Sequence, residues 1–181
     1  MKKKIMVIFG GESTEYEISL RSATSVINEL DKEKYDIITV GITRDGNWKE
    51  YIGKTENIIC DKWHGEGMKN VSVNLGGCDG SIVVYDDKNA EIKKVDCAFI
   101  ALHGANGEDG TVQGMLKLAH IPYAGPDMLT SCLGMDKAYT KIIFKNAGID
   151  QADWVTVNNY DRDEIMKKVW RLKRGFRILC L

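Results

Sequence analysis

Hydrophobic positions change period along this chain, and the changes mark out its elements. Ile5–Phe9 is an unbroken apolar run between a lysine cluster and Gly10-Gly11. A run so short and continuous predicts a strand buried on both faces. From Glu15 to Leu30, Ile18, Ala23, Val26, Ile27 and Leu30 recur at helical spacing, with Ser13 as the expected N-cap. Tyr35–Ile42 is β-rich again. Strand, helix and strand in this order predict a parallel α/β sheet with right-handed crossovers.

Between Thr43 and Lys94 the periodicity weakens. Asp45-Gly46-Asn47 is a hairpin signal beside Trp48, and Ser81–Tyr85 alternates before the turn-like Asp86-Asp87-Lys88-Asn89. Residues 61–80 are too rich in glycine and polar side chains to predict any element. The whole stretch reads as an insertion of short strands and loops on the main sheet. Order returns at Val95–Leu102, another buried-strand run, followed by a glycine-rich loop from His103 to Gly110. Thr111 to Ala119 predicts a helix capped by Thr111, Ile121–Tyr123 a short strand, and Asp127 to Leu133 a short helix. Asp136 to Ala147 predicts a further helix, ended by Gly148. Met135, Ile142, Ile143 and Phe144 are its expected core residues. Trp154–Val157 alternates like an edge strand, and Asp161 to Arg171 predicts a last helix. The expected class is α/β, a Rossmann-like parallel sheet of roughly four or five main strands with an inserted region. An N-terminal domain is expected over residues 1–135, with a linker helix opening a second region over 136–181.

Composition narrows the function classes. Hydrophobic residues fill 44% of the 181 positions and charged ones 28%, as in a globular domain large enough for a core. A formal net charge of −1 gives no electrostatic ground for nucleic acid or a membrane surface as partner. The first apolar run is too short for a signal peptide, and no stretch approaches the ~20 apolar residues of a membrane span. Cys60, Cys78, Cys97, Cys132 and Cys180 lack C-x-x-C spacing, and the three histidines complete no zinc pattern. Free thiols in a reducing cytoplasm are expected, with no metal ligands in the chain. Trp48, Trp63, Trp154 and Trp170 are expected in packing rather than in a cofactor box.

Three segments can carry chemistry. Gly10-Gly11-Glu12-Ser13-Thr14-Glu15 lacks both the glycine spacing of a dinucleotide fingerprint and the Gly-Lys-Ser/Thr ending of a phosphate loop. It lies at the carboxyl end of a strand, where open α/β sheets bind ligands. Glu15 there can hold a substrate ammonium by a charge-assisted hydrogen bond, or only favour the helix N-terminus electrostatically. The second loop, His103-Gly104-Ala105-Asn106-Gly107-Glu108-Asp109-Gly110, has three glycines that let backbone approach a ligand. His103 can contact a carboxylate or shuttle a proton, or serve as a structural histidine. Glu108 and Asp109 can satisfy amides at the next helix start. Two such loops on one sheet point to a shared pocket. In the third segment, Gly134-Met135-Asp136-Lys137 with Lys141 a turn later, a lysine near a helix start can neutralise phosphate or simply be solvated.

Together these segments resemble the D-alanine–D-alanine ligase family. The first is similar to its N-terminal signature in Gly10-Gly11-x-Ser13-x-Glu15-x-Glu17-Ile18-Ser19-Leu20. The second is similar in His103-Gly-x-x-Gly107-Glu108-Asp109-Gly110-Thr111-Val112-Gln113-Gly114. Ile121-Pro122-Tyr123-Ala124-Gly125 and Met135-Asp136-Lys137 follow in the family's order, so the resemblance covers most of residues 4–160. The long insertion resembles the vancomycin-resistance branch and other long ligases, D-alanine–D-serine enzymes included.

The resemblance implies an ATP-grasp enzyme of peptidoglycan precursor synthesis, using ATP and Mg2+, with residues 1–135 as its pre-ATP-grasp domain. ATP would phosphorylate the carboxylate of a first D-alanine, and the amine of a second residue would attack the acyl phosphate. By resemblance, Glu15 holds the first D-alanine's ammonium and His103 lies beside that substrate, with Ile18, Ser19 and Gly104 in the same subsite. Lys137 would contact ATP. The implied partners are D-alanine and a second D-amino acid or D-lactate, and the choice among these is left open by this sequence.

One departure stands out. Where the family continues from Gly-Phe-Pro into a strand ending Val-Lys-Pro, this chain reads Gly175-Phe176-Arg177-Ile178-Leu179-Cys180-Leu181. A frame change or truncation near Gly175 is the expectation, leaving most ATP and magnesium ligands out and the chain alone inactive. Arg171–Leu181 is expected not to dock as a strand, and its apolar end offers a route to a homodimer. The contrasting reading is a non-catalytic remnant, or a module that binds a small amino acid or a partner on the same fold. A flavodoxin-like or response-regulator-like domain is excluded because no acidic pair follows the first strand.

Overall fold

Ile5–Phe9 is apolar at every position because both faces of its strand are covered. In the computed structural model, which describes residues 1–77, 79–154, 165–167 and 170, this run lies in β1 (Lys3–Gly10). β1 leads through α1 (Tyr16–Glu29) to β2 (Tyr35–Ile42). Next come β3 (Trp48–Tyr51), a short α2 (Glu56–Ile59), β4 (Asn70–Val73), β5 (Ser81–Tyr85) and β6 (Ala90–Lys94). β7 (Cys97–Ile100), α3 (Thr111–Leu118), β8 (Tyr123–Ala124), α4 (Met128–Met135) and α5 (Lys137–Asn146) complete the order.

Among the described residues, eight strands form one sheet in the order β6-β5-β4-β3-β2-β1-β7-β8. β1 is parallel to both neighbours, with Ile8 opposite Val40 on one side and Ile100 on the other. β8 joins β7 in parallel, whereas β3 to β6 add on antiparallel. Alternate residues of β1 feed two cores. Val7 and Phe9 pack with Tyr16, Leu20, Ala23 and Ile27 of α1 and with Trp63. Met6 and Ile8 pack on the other face with Val112, Leu116 and Ala119. Helices on both faces of a sheet are the layering that a strand–helix–strand order dictates. Each buried Val, Leu, Ile, Phe or Met side chain among these contributes roughly 1.5–3 kcal/mol by leaving water.

The chain divides into two compact units, Met1–Met135 and Asp136–Leu181. In the second, Asp136 caps α5, its carboxylate accepting the Ala138 and Tyr139 N–H groups, and Gly148 follows with a φ of 69°. No helix among the described residues is long and apolar enough to cross a membrane. Cys60, Cys97 and Cys132 are free thiols.

The α/β class holds, and the insertion does consist of short strands and loops on the main sheet. Its strands join that sheet antiparallel, however, so among the described residues the sheet is mixed and has eight strands where a parallel one of roughly four or five was expected. Several local expectations are corrected. Ser13 does not cap α1: Glu15 occupies that position, while the Ser13 hydroxyl accepts the Glu15 N–H and its carbonyl accepts the Tyr16 N–H. Gly10 and Gly11, with φ of 87° and 104°, let the chain turn out of β1 into this loop. Ile18, counted in the buried stripe, is 47% exposed, and the buried face is Tyr16, Ser19, Leu20, Ala23 and Ile27. Gly110, with a φ of 92°, stands at the N-cap of α3 in place of Thr111. Met135, Ile142, Ile143 and Phe144 are exposed, since an apolar stripe marks a core only where another layer covers it. Trp63 is packed and Trp48 lies against the core, but Trp170 is exposed. Of the expected strand at Trp154–Val157, Trp154 is not in a strand and the rest falls outside the described residues. Within 161–171 only Ile165, Met166, Lys167 and Trp170 are described, all helical. The tail 171–181 lies outside them.

Candidate active site

Because β1 and β7 run side by side and parallel, the loops leaving their carboxyl ends emerge together. Ser19 ties them. Fully buried in α1, its hydroxyl accepts the Gly10 N–H at 2.8 Å and donates to the Ala101 carbonyl at 2.7 Å. Its oxygen is thus committed to joining the two strand ends, so Ser19 shapes the crevice from below.

Glu15 lies over Gly104. A methyl group at Gly104 would overlap the Glu15 carboxylate and come within 2.8 Å of the Ser13 hydroxyl. The φ of 70° at Gly104 is a second reason for glycine there. The adjacent His103 ring meets the same helix: Nε2 is 2.9 Å from Ser22 Oγ, and Nδ1 is 3.8 Å from Glu108 Oε1. The second oxygen of Glu108 accepts the Gly104 N–H at 2.8 Å. One carboxylate therefore steadies both the imidazole and the loop backbone. Asp109 accepts the Asn106 and Thr111 N–H groups. Burial would raise the Asp109 pKa, but these hydrogen bonds outweigh it and hold the carboxyl below its usual range.

The sequence-predicted Glu15, His103 and Gly104 are brought together, and Ile18 lies exposed on α1 between Glu15 and Ser22. Lys137 begins α5 in the second unit. Ser22 was missed by sequence reasoning, although it lies one helical turn beyond Ile18 and two beyond Glu15, a spacing that puts all three on one face. Gln113 also went unassigned. Buried in α3, it donates from Nε2 to the Gly107 carbonyl at 2.7 Å and so braces the loop. Its Oε1 and the Ser131 hydroxyl are buried without a partner among the described residues, and both residues border a cleft of about 650 Å³. His103 and Glu108 border the same cleft. It can accept a small ligand with an apolar body and hydrogen-bonding groups.

Behind α1 lies a second polar group. The buried Tyr16 hydroxyl donates to Asp61 Oδ1 at 2.8 Å and accepts from Trp63 Nε1 at 3.0 Å. Arg44 stands 3.9 Å from the Tyr16 ring centre and 3.5 Å from Glu17. Burial first, and then the Asp61 hydrogen bond, push the Tyr16 pKa well above its ordinary value, so Tyr16 remains a donor at neutral pH.

An open α/β domain with an acidic group and a histidine at the carboxyl ends of adjacent parallel strands is a small-molecule-binding domain in class. The family described as D-ala D-ala ligase N-terminus matches residues 4–126. The chain belongs to the D-alanine–D-alanine ligase family, as its N-terminal domain. It is 45% identical over 174 residues to a D-alanine–D-alanine ligase of Thermoanaerobacter sp. (strain X514), covering 94% of this chain and 48% of that one. Among solved structures, the VanG D-Ala:D-Ser ligase from Enterococcus faecalis superposes with a TM-score of 0.79 at 37% identity, covering 98% of this chain and 50% of that one. The D-alanine–D-alanine ligase from Coxiella burnetii gives 0.79 at 31% identity, with 96% and 49% covered. The chain thus spans about half the length of the relatives it matches.

Proposed function

We propose that this domain binds the first D-alanine of an ATP-dependent D-alanine–D-alanine-type ligation. The meeting of Glu15 and His103 at Gly104 supports this reading most directly. An amino acid offers an ammonium and a carboxylate a short distance apart. Glu15 accepts hydrogen bonds from the ammonium, while His103 stands at the adjacent position for the carboxylate. ATP phosphorylates that carboxylate, and the amine of a second D-amino acid then displaces phosphate from the acyl phosphate. Ile18 and Gly104 border the subsite, and Ser19 keeps its two loops in register.

Lys137, at the start of α5, supplies a point charge for ATP phosphates. Residues 1–135 form the pre-ATP-grasp domain, and residues 136–181 lead into the nucleotide-binding part. The described residues include no group of three or more His, Cys, Asp or Glu side chains able to hold a metal ion, so the Mg2+ that accompanies ATP in the family is assigned no ligand in this domain. The reaction belongs to peptidoglycan precursor synthesis in the cytoplasm. D-Alanine, D-serine and D-lactate all remain open as second substrates, and a homodimer is open as assembly.

Titration of the chain with D-alanine and L-alanine, followed at the Gly104 amide by NMR, tests the reading. D-Alanine is expected to shift it, L-alanine less, and Glu15→Gln should weaken the response. Equal responses to both enantiomers, or an unchanged Glu15→Gln variant, would overturn it. The second reading is a module on the same fold that binds a small amino acid without turnover, since the constellation among the described residues, Glu15 and His103 at Gly104, is itself a binding site. D-Alanine-dependent phosphate release from ATP separates the two, and none is expected from the chain alone.

A further inference from the structure

We infer that Asp61, in the inserted region, is a positioning residue that fixes Glu15 over Gly104 by way of Tyr16. This rests on the reading of Glu15 as the ammonium-binding group. The Glu15 side chain makes no capping hydrogen bond to α1, and at the helix start only its backbone is tied, the N–H to the Ser13 hydroxyl and the carbonyl to the Ser19 N–H. The next residue is held on every side instead. The Tyr16 ring lies under Arg44 and against Gly10, and its hydroxyl sits between Asp61 and Trp63.

That anchor comes from the insertion. Trp63 is buried against Gly41 of β2, where any side chain would overlap its indole, and it meets the Phe9 ring edge-on with centroids 4.9 Å apart. Asp61 follows α2 and gathers Tyr16 at 2.8 Å, His64 at 3.4 Å and Arg44 at 3.9 Å around one carboxylate. It also has a φ of 54°, a left-handed conformation that costs a non-glycine residue about 1 kcal/mol or more. Such strain persists where surrounding contacts over-determine it, and here those contacts converge on the carboxylate. Glu15 and Tyr16 are consecutive, so fixing the Tyr16 side chain fixes the backbone from which Glu15 departs toward Gly104. Rigid supporting contacts of this kind set the precision of a binding group.

The test compares the chain with Asp61→Gly, Asp61→Asn and Tyr16→Phe. Glycine suits the left-handed backbone, so Asp61→Gly removes the carboxylate without adding strain. Asparagine tolerates the same conformation and keeps an oxygen that accepts from Tyr16. The readout is the nuclear Overhauser contact between the Glu15 side chain and the Gly104 α protons, with the Ile8–Ile100 strand contact as internal reference. The Glu15–Gly104 contact should weaken several-fold in Asp61→Gly and Tyr16→Phe, survive in Asp61→Asn, and leave the reference unchanged. D-Alanine affinity should fall in the same order. A contact of full strength in Asp61→Gly would refute the inference, as would a parallel loss of the reference contact, which would make Asp61 merely structural. If the contact follows Asp61 but the unmodified chain ignores D-alanine, the positioning role stands and the substrate reading fails.

Discussion

The two halves of the sheet are built differently and divide the work. In the parallel half, β1 has five consecutive buried residues from Met6 to Gly10, and the glycine loops leave from β1 and β7. In the antiparallel half, β6 exposes all but one of its residues to some degree beyond the intermediate range, and no part of the Glu15–His103 constellation lies on it. Yet the connection between β3 and β4 carries Asp61 and Trp63 back to α1. The parallel half forms the crevice, while the antiparallel half holds one of its walls. Distance from the site along the sheet is therefore a poor guide to influence on it.

The sharpest way to break this comparison is to cut into the parallel core. Phe9 is wholly buried between α1 and Trp63. Phe9→Ala should cost about 4 kcal/mol, the usual range for a large aromatic truncated in a packed core. A urea denaturation midpoint reads it. A loss of only about 1 kcal/mol would mean that the two halves are less unequal than their burial indicates.

The same inequality decides what the sequence reveals. Ile5–Phe9 is legible because a strand with neighbours on both sides and helices on both faces tolerates almost no polar residue, and Tyr35–Ile42 because its β-branched residues outweigh Asp36 at its exposed start. Glu15, His103 and Gly104 are legible as strand-end loop residues for the same reason. The antiparallel half hides itself. β4 and β6 are half-exposed strands of four and five residues, too short for alternation to outweigh chance. Tyr16 and Asp61 are 45 positions apart, and nothing local in either announces the hydrogen bond between them. Ile142, Ile143 and Phe144 fail in the opposite sense: their spacing is that of a buried stripe, but whether a stripe is covered depends on a partner layer that periodicity does not encode.

A smaller effect is expected where the antiparallel half carries its own buried charge. Glu50 of β3 is almost fully buried and accepts from Lys93 of β6 at 2.8 Å. Lys93→Met leaves that carboxylate without its cation, at a cost of about 2–3 kcal/mol, since the pair is partly open to water. The Glu50 hydrogen bond raises the Lys93 pKa. A raised pKa in the folded state gives stability that is complete below the ordinary lysine range and lost as pH rises beyond it. Tyr16 shifts in the same direction. The unmodified chain should therefore lose stability above roughly pH 10, and Lys93→Met should lose less over that interval. Parallel alkaline profiles for the two would remove Lys93 from the account.

Smaller again is the global cost of filling the crevice itself. At Gly104 an alanine meets a left-handed backbone and the flexible end of Glu15, which can swing aside. Gly104→Ala should cost about 1–2 kcal/mol, mostly from the backbone. Its local effect should be larger than its global one, because the Glu15 carboxylate has to leave its place. Loss of the D-alanine response with the urea midpoint little changed is the expected pair of results.

The least effect belongs to the outer edge. Ile92 is 66% exposed at the centre of β6, opposite Val83 of β5. β6 is the last strand of the sheet, and Glu91, Lys93 and Lys94 surround Ile92 with charge, which discourages another strand from adding to the edge. Truncating an exposed side chain of this kind removes only part of one cross-strand pair, worth about 0.2–1 kcal/mol. Ile92→Ala should therefore shift the urea midpoint by no more than about 0.5 kcal/mol equivalent, and the shift should not depend on protein concentration. A loss above roughly 1.5 kcal/mol would show that this face of β6 is covered in solution. If that loss also shrank with dilution, the cover would be a second copy of the chain. The edge would then be an interface, and the antiparallel half would have a role of its own beyond bracing the crevice.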